Sequence, residues 1–384
     1  MSTIKTNAIL DASGGNTTTI NGTTPTAYNT MGKNLIINGA MQIAQRGTQS
    51  TGITTTGFRT VDRFRTSLSS LGTWTEDQST DAPSGFSNSF KLTCTTADAS
   101  PAAGDVAYIR YMFEGFELQN LAYGTSSAKP MTLSFWVKSN KTGSASVQLL
   151  QNDNSSKNIS PSYAINSANT WEYKTISIPA DTAGNIDNDN GPAVSLIWWL
   201  NSGSTYSSGS TQTSWSTYSA ADSNAANLGV GGATSDYIAI TGVQLEVGSV
   251  ATEFERRPYG TELQLCQRYY QRYGYPDSFI NTSQVVWVDA TTFGYFITFD
   301  TDDGLMTHPL PVRMRATPSA SITESYISLN NQTQSFTSGN TLQLNSSTVT
   351  HASFHIDTND GITTPMFAVS FSNANGYYDL SAEL

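Results

Sequence analysis

Residues 237–247 read YIAITGVQLEV, a stretch dominated by β-branched and apolar residues. Strands favour such residues, and successive side chains of a strand point to opposite faces of its sheet. Short strand-like segments of similar character, separated by turn clusters such as DNDNG and GGATSD, indicate a β-sandwich over residues 34–258. These segments are LSFWVKS at 133–139, ASVQLLQ at 145–151, EYKTISIP at 172–179 and VSLIWWLN at 194–201.

The composition argues against a nucleic-acid partner, a membrane helix and a disulfide. The 384 residues carry 19 Lys and Arg against 30 Asp and Glu, a net charge of −11 that disfavours a nucleic-acid partner. The longest apolar run, VSLIWWL at 194–200, has the length of a strand and is far short of the ~20 residues of a membrane helix. The two cysteines, Cys94 and Cys266, lie in different predicted domains, so we expect free thiols and synthesis in the cytoplasm.

The sequence on either side of the predicted sandwich has a different character. Residues 1–33 are rich in Thr, Asn and Gly and bury too little surface to fold alone, so they either need a partner surface or form a frayed tail. Residues 277–384 return to strand patterns, such as GYFITFD at 294–300 and YYDLSAEL at 377–384. A second β domain is therefore expected there.

The sequence predicts a single helix, over residues 259–276. Thr261 and Gln264 have the spacing of a capping box, and the following apolar residues recur on one face of a helix. Those residues are Leu263, Cys266, Tyr270 and Tyr273. The helix is either a plain connector between domains or a packing element at a trimer axis.

Two distant segments carry a resemblance to a known class of protein. They are NLIINGAMQIAQRGT at 34–48 and VQLEVGSVATEFERRPYGTELQLCQRYYQR at 243–272. The pair resembles the segments that bracket a carbohydrate-binding-module-like jelly roll in phage tail-fiber and other virion adhesion proteins. The opening MSTIKTNAI and the closing YYDLSAEL are also similar to the ends of such fibers.

The resemblance implies a mainly β architecture in four parts. Residues 1–33 would form an N-terminal virion-anchoring or oligomerisation segment, and residues 34–258 a jelly-roll β-sandwich with its first and last strands side by side. Residues 259–276 would form one connecting helix, followed by a C-terminal β-sandwich-like domain over residues 277–384.

The resemblance also implies a function without covalent chemistry. We expect a receptor-binding protein of the phage tail, made in the bacterial cytoplasm, that attaches to host cell-surface polysaccharide and is not an enzyme. A homotrimer joined to other tail proteins through residues 1–33 would bind multivalently. Two alternatives remain: a structural adaptor, spacer or head-fiber component of the virion, and a surface-polysaccharide depolymerase with inter-subunit carboxylates.

Aromatic side chains are the candidate sugar-binding groups, because their faces stack on the apolar faces of sugar rings. Alternation in LSFWVKS places Trp136 opposite an aliphatic face, and adjacent Trp198 and Trp199 must point to opposite faces of their strand. The polar stretch 201–227 predicts a long loop, either a binding loop or a solvated insertion or inter-subunit contact. The candidates are Trp136, Trp199, Trp215 and Tyr218.

No cofactor is required by the sequence, and one metal site is a candidate. The resemblance implies a structural calcium ion near the first and last strands, where Asn38 and Glu246 are the candidate ligands. The acidic clusters DNDNG and DTDDG lack the calcium-loop pattern and are interpreted as turns. His351 and His355 would share a zinc ion on a helix, but their context favours a strand, on which about 13 Å separates them.

Overall fold

The computed structural model describes residues 32–153, 157–274, 296–298, 303–323, 327–329, 341–357, 369–371 and 377–384. The chain divides into two compact units, Met1–Pro258 and Tyr259–Leu384. The division falls where the sequence places the start of the connecting helix. The segment predicted to anchor the chain lies outside the described residues, apart from residues 32 and 33.

The described part of the first unit is built from strands. In chain order they are β1 Gln49–Ile53, β2 Arg65–Ser69, β3 Thr73–Ser79, β4 Ser89–Thr96, β5 Val106–Glu114, β6 Met131–Ser139, β7 Gly143–Gln151, β8 Lys157–Ile159, β9 Ser162–Ile165, β10 Glu172–Ile178, β11 Pro192–Ser202, β12 Ser216–Thr217 and β13 Tyr237–Val247. Between them lie the one-turn helices α1 Gly115–Leu118 and α2 Ser204–Ser207 and the 3₁₀ turns Gln119–Leu121 and Ala220–Asp222.

These strands form two antiparallel sheets. The first sheet has the order β1-β3-β4-β13-β6-β10, and the second sheet has the order β12-β8-β7-β11-β5-β2, with β9 paired to β7. A continuous hydrophobic core fills the space between them. The unit is a jelly-roll β-sandwich, which confirms the predicted fold class.

Alternation along β6 fixes which side chains enter the core. Leu133, Phe135 and Val137 are fully buried, whereas Trp136 between them is only partly buried and points away from the core. Trp198 of β11 is fully buried and meets Phe135 across the sandwich, with ring centroids 5.8 Å apart. Burial of each such side chain stabilises the fold by about 1.5–3 kcal/mol.

The two segments that carry the family resemblance lie side by side. The amide of Leu35 donates to the carbonyl of Leu245 at 2.8 Å, and the amide of Val243 donates to the carbonyl of Gly39 at 2.9 Å. A β-carbon on Gly39 would lie 2.1 Å from the carbonyl oxygen of Val243, so only glycine permits this approach. The expected proximity of the first and last segments of the sandwich is confirmed.

A set of charged hydrogen bonds, here called the clamp, ties the same two segments together. The carboxylate of Glu255 accepts from the amides of Gly32 at 2.6 Å and Asn34 at 2.7 Å. The guanidinium of Arg257 donates to the carbonyl of Ile36 at 3.0 Å and to that of Asn34. The chain therefore enters the sandwich at residues 32–36 directly beside the place where it leaves the sandwich, at residues 255–257.

The described part of the second unit is also mainly β. It contains α3 Tyr259–Gln267, then β14 Tyr270–Gly274, β15 Phe296–Thr298, β16 Asp303–Pro309, β17 Ser319–Thr323, β18 Ile327–Leu329, β19 Thr341–Ser347, β20 His351–Asp357, β21 Val369–Phe371 and β22 Tyr377–Ser381. Its sheets have the orders β14-β22-β17, β15-β16-β20-β19 and β18-β21. None of the helices within the described ranges has the length and apolar character needed to cross a membrane.

The helix predicted over 259–276 is shorter than expected. It ends at Gln267, and Tyr270 and Tyr273 lie on β14, which pairs with β22 in the register Tyr270↔Ser381. Sheet hydrogen bonds to a strand more than 100 residues away compete successfully with the helical pattern of YYQR. Residues 351–357 form a strand, as their sequence context predicted.

Candidate aromatic groove on the first sheet

The outer face of the first sheet presents two neighbouring aromatic rings. Trp136 of β6 lies directly opposite Tyr173 of β10, and their ring centroids are 5.4 Å apart with 52° between the planes. Tyr173 is 44% exposed. Both rings face solvent because the alternate residues of β6 fill the core.

Two loop aromatics stand beside this pair. Phe86 precedes β4 and Phe254 follows β13, and their rings meet at 5.1 Å between centroids and 74° between planes. The Arg256 guanidinium lies 4.9 Å from the centroid of Phe86 and 5.8 Å from that of Phe254. It also donates to the carbonyl of Gly85 at 2.5 Å, so one cation is held against two rings.

Together these residues enclose a groove of about 640 Å³, here called the aromatic groove. That volume lies within the ~300–1,000 Å³ of typical ligand sites. The groove combines apolar ring faces with hydroxyl, carboxylate and guanidinium groups that can hydrogen-bond to a ligand. Its lining consists of Phe86, Ser134, Trp136, Tyr173, Gly242, Ala251, Thr252, Glu253, Phe254 and Arg256.

A backbone irregularity in β13 makes room for the rings. The register of β13 against β6 shifts between Thr241 and Gln244, and Gly242 within this bulge has a φ of +59°. A β-carbon on Gly242 would lie 2.7 Å from Cζ of Phe86 and 3.0 Å from Cδ1 of Trp136. Glycine therefore adopts the left-handed conformation without strain, and its lack of a side chain leaves room for the two rings.

A polar cluster lies next to Trp136 on the same outer face. Lys138 of β6 forms an ion pair with Asp81 at 2.8 Å, and the indole N–H of Trp171 donates to Asp81 at 3.1 Å. The pKa of Asp81 is lowered, mainly by the hydrogen bond from Lys138. Partial burial acts to raise the pKa, and the hydrogen bond from Trp171 helps to lower it. The side chain of Trp171 is itself partly buried.

Trp199 does not reach this groove. It lies on the outer face of the second sheet but is only 3% exposed, and its indole N–H donates to the side chain of Gln148 at 3.1 Å. Its ring packs between Tyr108 and Tyr206, with centroids 4.8 and 5.5 Å away. This burial corrects the expectation that Trp199 is a ligand platform.

Residues 203–227 cover that part of the second sheet. Besides the contact of Tyr206 with Trp199, the amide of Ala226 donates to the hydroxyl of Ser146 at 2.9 Å. Ser223 accepts from Gln148 at 3.2 Å. The long polar stretch is therefore a packed cover rather than an open loop.

Trp215 and Tyr218 belong to the same cover. Trp215 packs against the hydrophobic core, meets Tyr123 edge-on at 5.8 Å, and donates to the carbonyl of Pro179 at 2.8 Å. Tyr218 is 37% exposed. Of the four aromatic candidates, Trp136 alone lines the aromatic groove.

The other groove residues were not identified from the sequence. The strand that contains Tyr173 was predicted from the sequence. The position of Tyr173 opposite Trp136, however, depends on the register between two strands. Phe254 and Arg256 lie within the segment ATEFERRP, and Phe86 lies in a turn-rich stretch with no pattern of its own. Loop residues converge only in the folded chain.

The two candidate calcium ligands are already engaged by protein groups. The side-chain amide of Asn38 donates to the carbonyls of Ile43 and Asp62 at 2.8 and 3.0 Å, and its oxygen accepts from the amide of Ile43 at 3.0 Å. The carboxylate of Glu246 accepts from Gln244 at 2.9 Å and from Thr252 at 2.9 and 2.7 Å.

These donor sets do not fit calcium, which takes six to eight oxygen ligands. The Lys33 ammonium donates to the same hydroxyl of Thr252 that bonds Glu246, which adds a positive charge where a cation would have to sit. Within the ranges that the structure describes, no three His, Cys, Asp or Glu side chains form a group that could hold a metal ion.

The chain was compared with family models, curated proteins and solved structures, and only solved structures match it. No family model and no curated protein matches the chain. Among solved structures, the enzymatically active domain of tailspike protein 4 of bacteriophage CBA120 is 15% identical at a TM-score of 0.29, and the match covers 56% of this chain and 21% of that one.

Two carbohydrate-binding modules are also similar in structure. A CBM4 module is 13% identical at a TM-score of 0.29, over 55% of this chain and 97% of the module. TmCBM61, solved with β-1,4-galactotriose, is 9% identical at a TM-score of 0.27, over 56% of this chain and 99% of the module.

Proposed function

We propose that the first unit binds glycans through the aromatic groove. The observation that carries this proposal is the pair of rings of Trp136 and Tyr173, which face solvent at the wall of a groove of about 640 Å³. Ring faces of this kind stack on the apolar faces of sugars. Arg256 and Glu253 supply a donor and an acceptor that can orient the hydroxyl groups.

We further propose that this binding involves no covalent chemistry. Glycoside hydrolysis generally uses two carboxyl groups about 5–9.5 Å apart. Glu253 is the one carboxylate among the residues that line the groove. This favours a binding site over a depolymerase.

The biological role that we propose is adhesion of a phage virion to bacterial surface polysaccharide. It rests on the resemblance of residues 34–48 and 243–272 to virion adhesion proteins, together with the groove. In a homotrimer, three weak sites would raise avidity by about a hundredfold or more through effective concentration. Residues 1–33 would join the trimer to other tail proteins.

The test is a microarray of purified bacterial surface polysaccharides probed with the labelled chain and with its Trp136→Ala variant, with the mass in solution measured on the same samples. Binding by the parent and loss in the variant supports a glycan adhesin. A folded chain that binds no polysaccharide would instead support a structural spacer. Release of new reducing ends from a bound polysaccharide would support a depolymerase.

A further inference from the structure

Two arginines face each other on the outer side of the second sheet, away from the aromatic groove. Arg65 of β2 lies directly opposite Arg110 of β5. Directly opposed residues of antiparallel strands have β-carbons about 4.5–5.5 Å apart, and like charges in such pairs destabilise a sheet. Both side chains are partly buried and remain accessible to solvent.

No carboxylate neutralises this pair within the part of the chain that the structure describes. The ion pairs of other basic residues are present, such as that between Lys157 and Asp181, but Arg65 and Arg110 have none there. The chain as a whole carries a net charge of −11. Two adjacent cations without an acidic partner are therefore a local exception on an acidic protein.

Neutral groups hold the guanidinium of Arg110 in place. Its Nε and Nη2 donate to the hydroxyl of Ser195 at 3.0 and 2.6 Å, and Nη2 lies 3.5 Å from the side-chain oxygen of Asn152. The amide of Asn152 donates to the same hydroxyl at 3.0 Å. Nη1 has no hydrogen-bond partner among the described residues, so its donors remain available to a ligand.

The charge of Arg110 persists at neutral pH. Burial lowers the pKa of Arg110, and the nearby charge of Arg65 acts in the same direction against an opposite contribution from Tyr108. An arginine nevertheless stays protonated in proteins, so the repulsion is not relieved by loss of a proton. An anion between the two guanidinium groups would relieve it.

We propose that Arg65 and Arg110 form a binding site for a phosphate or sulfate group. A guanidinium group offers two parallel N–H donors to an oxyanion, so two opposed groups offer four. A tetrahedral oxyanion has one oxygen for each of these donors and can carry a second negative charge to match the two cations. The site lies on the second sheet and does not depend on what the aromatic groove binds.

The experiment is titration of the full chain with sodium phosphate by isothermal calorimetry at pH 7, with sodium chloride at matched ionic strength as reference. Glucose 6-phosphate and glucose are titrated in parallel, to distinguish a free ion from a phosphorylated sugar. The variants are Arg65→Gln, Arg65→Lys and Arg110→Gln. Lys91→Gln, which removes one positive charge from the first sheet, is the matched control.

We expect phosphate to bind the parent and the Lys91→Gln variant equally well. Each glutamine variant should bind about tenfold or more weakly, because it loses charge-assisted hydrogen bonds. Arg65→Lys should also bind more weakly, since an ammonium keeps the charge but not the paired donors. Preference for glucose 6-phosphate over phosphate would identify a phosphorylated saccharide as the ligand.

A second readout separates binding from folding. Without phosphate, Arg65→Gln should melt at or above the temperature of the parent, because it removes a like-charge contact. With phosphate, the parent should gain stability and the variant should not. The proposal is overturned if phosphate stabilises the parent no more than chloride does, or if it stabilises parent and Arg65→Gln equally.

Discussion

Replacing Trp136 by alanine would remove the largest ring of the aromatic groove and leave the core of the sandwich intact. Trp136 lies on the outer face of the first sheet, and its neighbours in β6 supply the core packing. In the folded chain its ring packs against that of Tyr173, whose centroid is 5.4 Å away. Such an aromatic pair contributes about 1 kcal/mol, so the variant should still fold.

The loss of binding can be estimated from the ring area that a sugar would cover. A tryptophan buries about 150–250 Å² in full, and a stacked sugar covers one face, about 80 Å². At about 25 cal/mol per Å² this corresponds to about 2 kcal/mol. The dissociation constant should therefore rise about thirtyfold.

Isothermal calorimetry with the polysaccharide fragment selected by the microarray is the assay. Trp136→Phe should lose less affinity than Trp136→Ala, because it keeps a smaller stacking face. Tyr218→Ala is the matched control, since Tyr218 is exposed but does not line the groove, and it should bind within about twofold of the parent. Equal affinities of Trp136→Ala and the parent would refute the assignment of the groove.

Three other predictions concern the backbone and pH. Gly39→Ala should lower the free energy of unfolding in urea by about 3 kcal/mol or more, because its β-carbon would lie 2.1 Å from a backbone carbonyl oxygen; a loss below about 1 kcal/mol would contradict the close approach. Gly242→Ala should weaken glycan binding in calorimetry and cost about 1–2 kcal/mol of stability, because a side chain at φ +59° is strained and would press on Trp136; unchanged affinity would argue against that packing. Partial burial acts to raise the pKa of Glu172, but hydrogen bonds led by that from Lys174 outweigh it and lower the pKa to about 2. The unfolded chain, with a pKa near the ordinary 4.5, then binds more protons, so stability present above pH 4.5 is lost as the pH falls towards 2. Lys174→Gln should flatten this part of a curve of melting temperature against pH, and an unchanged curve would count against the ion pair.

The sandwich and the orientation of Trp136 were predictable from the sequence because both depend on local alternation. Period-two patterning identified β6 and β13, and it placed Trp136 opposite Leu133, Phe135 and Val137. The same rule required Trp198 and Trp199 to face opposite sides. These inferences use only neighbouring residues, which the sequence displays directly.

The rest of the groove depends on contacts between distant residues. Phe86 and Phe254 are separated by more than 160 residues and meet only after β13 inserts between β4 and β6. The burial of Trp199 likewise depends on the path of residues 203–227. The helix prediction was wrong for residues 268–274, because pairing with β22 decides the conformation of β14.

The clamp between residues 32–36 and 255–257 has a mechanical consequence. A pull applied at residue 32 against residue 258 would load the bonds of Glu255 and Arg257 to Asn34 before it loads either sheet. The two sheets would then lie outside the path of the force, and the aromatic groove would keep its geometry while the clamp bears the load. If the first unit binds glycans as proposed, this arrangement would let it hold a glycan under shear until the charged bonds of the clamp break.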